Sequence, residues 1–128
     1  MEALLEFPST TGLTVVDVGE GSTVIGSDRS QDRGQDKQGP AGFYLRVGKV
    51  KVSVAGERFV VRTPVGQVHA SRGSVFRVRV VLNGAMQAHS VVGPVRVVVG
   101  DRQLDLATGK GVSIDVDRSF EYFEPDRP

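Results

Sequence analysis

The chain has 128 residues, 39% of them hydrophobic and 24% charged, which suits one globular domain with a modest core. Sixteen basic and 15 acidic residues leave a net charge of +1, a balance that argues against a nucleic-acid protein. Cysteine is absent, which excludes disulfides and thiolate metal sites, and no run of about 18 apolar residues forms a membrane-crossing helix.

The opening stretch, Met1 to Phe7, is acidic and has no basic segment before a long apolar one, so it does not read as a signal peptide. Residues Glu2–Phe7 suit either one helical turn or a strand, with Pro8 ending whichever forms. Leu13–Val18 is the first clear strand, closed by Gly19-Glu20-Gly21, and Ser22–Ile25 is a short extended piece. Residues 26–42 then carry no strong apolar side chain. Asp28-Arg29-Ser30-Gln31, Asp32-Arg33-Gly34-Gln35 and Asp36-Lys37-Gln38-Gly39 form a weak repeat there, expected as a flexible, solvated loop and a contact arm.

From Phe43 the chain reads as nearly continuous strand. Valine, with 24 residues, is the dominant side chain, and its β-branched shape packs well on a pleated surface. Phe43–Val47 leads through Gly48 into Lys49–Val54, where valines alternate with Lys49, Lys51 and Ser53, the period-two signature of a half-buried strand. Arg58–Thr63 follows and Pro64 stops it, since proline lacks a ladder donor. Gly66–Ala70 is short. In Ser74–Val80 the same alternation puts Phe76, Val78 and Val80 inward and Arg77 and Arg79 outward. Asn83-Gly84 is a strong hairpin signal before Met86–Val92. Val95–Val99, Arg102–Leu106, Val112–Val116 and a last edge strand at Ser119–Phe123 complete the series, with short arms at both termini. The expectation is one all-β domain over residues 1–128, with ten to twelve short, mostly antiparallel strands in a sandwich, jelly roll or short β-solenoid.

Over about residues 42–116 the sequence resembles the FecR domain, the extracytoplasmic β-domain of bacterial iron-signalling anti-sigma regulators. The resemblance lies in an ordered series of segments. Gly48-Lys49-Val50-Lys51-Val52 is followed by Val61-Arg62-Thr63-Pro64 and Gly66-Gln67-Val68. Arg72-Gly73-Ser74-Val75-Phe76-Arg77-Val78-Arg79-Val80 comes next. Gly93-Pro94-Val95-Arg96-Val97 and the turn from Leu106 to Val112 close the order. Ser74 stands where the family has threonine, and Ala70 where it has a β-branched residue. The resemblance implies a FecR-like β-fold and a signalling role through protein contact. It places the chain in the periplasm or at the cell surface if a leader was removed; Met1 as native start would place it in the cytoplasm.

Catalytic chemistry finds little purchase. His69 and His89 lie at outward strand positions with no carboxylate spacing beside them, and Ser71 and Ser74 lack a strained nucleophile turn. The Asp28, Asp32, Asp36 spacing lacks the tight alternation and glycine turn of a calcium loop. No enzyme activity, cofactor or metal is expected. The residues singled out for partner contact are Lys49, Lys51, Arg77 and Arg79, with Arg58, Arg62 and Arg96 as further members of one basic face, and Asp28, Asp32 and Asp36 in the loop. The expected function is a non-catalytic interaction module meeting a protein partner by a sheet edge or face. The alternative is a self-assembling structural subunit built by strand edges and the loop. Neither nucleic acid nor membrane insertion enters the expectation.

Overall fold

The computed structural model describes residues 3–9, 12–19, 21–25, 41–56 and 58–124. Among them are twelve strands and no helix, hence none long and apolar enough to cross a membrane. The strands are β1 (Ala3–Ser9), β2 (Gly12–Val18), β3 (Thr23–Ile25), β4 (Ala41–Ser53), β5 (Phe59–Arg62) and β6 (Gln67–Ala70). They continue as β7 (Val75–Val80), β8 (Met86–Val92), β9 (Val95–Val99), β10 (Arg102–Leu106), β11 (Gly111–Ile114) and β12 (Phe120–Phe123). Every described pairing is antiparallel except β4 with β5, so the expectation of an all-β domain of mostly antiparallel strands holds.

The strands form a single sheet curled over on itself, and β4 is where it turns. The first half of β4 pairs with β3 and β5, in a leaf that continues through β6, β9 and β10. Its second half pairs with β2 and β7, in the leaf that runs from β1 to β12 by way of β8 and β11. This leaf, which holds β1, is called the first, and the leaf of β3, β5, β6, β9 and β10 the second. The two runs that the sequence divides at Gly48 are thus one 13-residue strand with a change of leaf inside it. Gly48 has φ +116°, and a Cβ there would collide with Ser22. Ser22 Oγ accepts from the Lys49 amide at 3.0 Å and donates to the Lys49 carbonyl at 3.2 Å, which fixes the bend.

The apolar halves of the alternating strands meet between the leaves. Phe43, Leu45, Phe59, Phe76, Val78, Leu106 and Ile114 are all buried, each worth about 1.5–3 kcal/mol relative to exposure. Phe7 of β1 packs edge-on against Phe59 of β5, ring centroids 4.8 Å apart, and stacks with Phe43 at 6.1 Å, joining the two leaves. Phe76, Val78 and Val80 point inward as expected. The Asn83-Gly84 hairpin also forms, with the Asn83 side chain accepting from the Ala85 amide at 3.0 Å and Gly84 at φ +99°.

Two boundaries differ from expectation. Pro8 does not end the first element but lies inside β1, which among the described residues pairs with β2 alone, as an outermost strand where a missing donor is tolerated. Ala41 and Gly42, read with the loop, belong to β4. Asp28, Asp32 and Asp36 and the proposed contact arm at 26–40 lie outside the described residues.

Candidate cationic face

Strand alternation directs Lys49 and Lys51 of β4, and Arg77 and Arg79 of β7, to the outward face of the first leaf. The register then decides which meet. Lys51 stands opposite Arg77 and Lys49 opposite Arg79, in two cross-strand pairs of like charge. Among the described residues none of these four cations has a carboxylate within salt-bridge distance. The flanking strands extend both rows. Asp17 of β2 stands opposite Lys51 on the far side, and His89 and Gln87 of β8 stand opposite Arg77 and Arg79. Together these side chains line a shallow concavity of about 520 Å³.

Gly19 shapes one wall. Its amide donates to the Lys49 carbonyl at 2.9 Å, and a Cβ at Gly19 would stand 2.7 Å from Lys49 Cγ, so the lysine stem lies across bare backbone. Gly111, opposite His89, likewise has no room for a side chain beside the Phe123 ring. His89 is half-buried in this setting, and its pKa is lowered from the ordinary 6.5, first by burial and then by the Arg77 cation. The imidazole therefore tends to neutrality, leaving the Lys and Arg pairs as the face's positive charge.

The sequence reading placed more cations here than the fold does. Arg58, Arg62 and Arg96 belong to the second leaf, because β5 joins β4 before its bend and β6 and β9 follow on from β5. Arg96 is engaged there with Asp105 at 2.9 Å, and Arg58 and Arg96 act on His69, whose pKa is lowered first by burial and then by these two charges. His69 and His89 thus sit on different leaves. Of the two serines near His69 in sequence, Ser74 is buried and its hydroxyl donates to the Pro94 carbonyl at 3.2 Å, a structural role. Asp17 and Gln87 carry no functional signal in the sequence, and Gly19 reads there only as a turn. The alternation of β2 marks Asp17 as outward, but only the β2–β4 pairing brings it to the face.

Two solved structures share this fold. A candidate anti-sigma factor from Parabacteroides distasonis ATCC 8503 superposes with a TM-score of 0.72 at 18% identity, covering 98% of this chain and 56% of that one. A second structure of a candidate anti-sigma factor from the same organism gives 0.68 at 18% identity, covering 97% and 57%. At this identity the likeness is one of fold. The chain spans little more than half the length of either protein. No family model matches the sequence, and no curated protein does.

Proposed function

We propose that this chain is a FecR-like regulatory β-domain that works by binding a protein partner, with no catalytic step, and that the outward face of its first leaf is where the partner sits. The observation that carries this reading is the two like-charge pairs that the register sets opposite each other, Lys51 with Arg77 and Lys49 with Arg79, with no salt-bridged carboxylate among the described residues. Like charges directly opposite on neighbouring strands cost stability. No packing need of the fold calls for them, since all four point away from the core, and a local cost of this kind is characteristic of functional surface. The fold shared with candidate anti-sigma factors supports a regulatory role, though fold alone never fixes function.

The test is site-directed photo-crosslinking in cells that express the protein. A photoreactive residue replaces Gln87, exposed on this face, or Gln103, exposed on the second leaf. The expected result is a discrete adduct with another protein from position 87 and none from 103. Equal adducts from both positions, or a ladder at multiples of the chain's own mass, would overturn the reading.

A further inference from the structure

We propose that the partner segment held by this face is an extended acidic peptide whose carboxylates alternate with neutral residues, one carboxylate for each Lys–Arg pair. The proposal rests on the reading of this face as the partner surface and adds the chemistry of what it takes.

Spacing is the first argument. Side chains on one face of a strand repeat every second residue, about 6.8 Å, and neighbouring strands lie about 4.8 Å apart. Lys49 and Lys51 share that repeat along β4, and Arg79 and Arg77 match it along β7. The four cations therefore form two forks, each a lysine and an arginine from adjacent strands. An extended peptide lying along the strands has the same repeat as the strands beneath it. Carboxylates at i and i+2 reach both forks at once, while the residue between them faces away. Two glutamates side by side, at i and i+1, direct one of the two charges to solvent and fill one fork in place of two.

The donors suit this occupant. A carboxylate accepts a two-pronged contact from a guanidinium and a further bond from an ammonium, using both its oxygens. A bound carboxylate between Lys51 and Arg77 also turns their mutual repulsion into two attractions. Occupancy thus stabilises the fold, as any ligand selective for the native state does.

Other polyanions fit less well. Among the described residues no Phe, Tyr or Trp lines the concavity, so nucleic-acid bases lack the broad stacking platforms of single-strand binders. Asp17 beside Lys51 interrupts the positive row and repels a continuous phosphate track. A small free anion occupies one fork and leaves the other cations facing each other.

The experiment compares two fluorescent peptides of identical composition. One alternates two glutamates with serine, so that they stand at i and i+2 of a serine chain; the other sets the two glutamates side by side in the same serine chain. Fluorescence anisotropy at low salt should give at least tenfold tighter binding to the alternating peptide. That peptide should also raise the melting temperature of the wild-type chain. Arg77→Glu and Arg79→Glu should each abolish the preference, and Arg96→Glu, on the second leaf, should leave it intact. Circular dichroism establishes that each variant is folded, and Lys49→Gln serves as a milder variant with a partial loss. Equal affinity for the two peptides overturns the proposal, as does tighter binding of an oligothymidylate or of pyrophosphate. An adduct at position 87 in cells combined with equal peptide affinities means that the face binds a partner of other chemistry. Loss of both adduct and peptide binding removes the underlying reading as well.

Discussion

Lys51 of β4 and Arg77 of β7 stand directly opposite each other on adjacent antiparallel strands, both directed outward. Such a like-charge pair costs about 0.2–1 kcal/mol, reduced where solvent screens it. Arg77→Glu should reverse the sign of the contact and stabilise the isolated chain by up to about 1 kcal/mol. The same substitution removes a cation from the binding face. A higher urea midpoint together with weaker partner capture is the expected outcome. A lower midpoint would show that the Arg77 side chain contributes to the fold.

Phe76→Ala should be severely destabilising. The ring is fully buried in the middle of β7, opposite Val52 across the strand pair. Truncating a buried phenylalanine costs about 3–5 kcal/mol, through lost transfer energy and the cavity left behind. Thermal unfolding should show a fall of at least ~10 °C. A shift of one or two degrees would mean that neighbouring side chains collapse into the space.

Two glycines with positive φ should respond differently to alanine. At Gly73, φ +93°, an added Cβ meets nothing within 4 Å, so the cost is backbone strain alone, about 1 kcal/mol. At Gly48 the same strain is joined by a collision with Ser22, whose hydroxyl is held by hydrogen bonds to the Lys49 amide and carbonyl. Gly48→Ala should cost about 3 kcal/mol or more. Chemical denaturation of the two variants in parallel checks the order, and equal losses would place the bend elsewhere.

Acid should weaken the fold through its histidines. His69 and His89 both have pKa values lowered from 6.5, with burial the larger cause and neighbouring arginines the second. The unfolded chain therefore binds more protons than the folded one once pH drops below about 6.5. Stability is unaffected by these groups above that point and declines as pH falls towards the depressed folded values. Melting temperatures between pH 7.5 and 5 should fall, and a His69→Gln, His89→Gln double variant should flatten the profile. An identical slope in the double variant would assign the effect to other groups.

Much of the fold was legible because burial leaves a period-two trace. The outward direction of Lys49, Lys51, Arg77 and Arg79 and the inward direction of Phe76 follow from their own strands. The assignment of Arg58, Arg62 and Arg96 to the same face failed for a definite reason. Alternation says which side of a strand a residue occupies, but not which leaf the strand joins. The pairing of β4 with β7 skips over β5 and β6, and no local pattern encodes such a long-range choice. Gly48 read as a break between strands because glycine commonly punctuates them; here it permits one strand to turn without ending. Pro8 misled in the same way, since an outermost strand can carry a proline that an inner one cannot.

The passage of β4 through both leaves also has a mechanical meaning. Lys49 and Lys51, on the cationic face, are joined by a few peptide bonds to Phe43 and Leu45, which anchor the other half of the strand in the core. A pull applied at the face is therefore carried along covalent backbone into the opposite leaf, where β3 and β5 resist it through their hydrogen bonds. The leaves cannot be peeled apart by separating side chains alone: the load must rupture the ladders on one half of β4. A partner that tugs on this surface thus works against the whole domain.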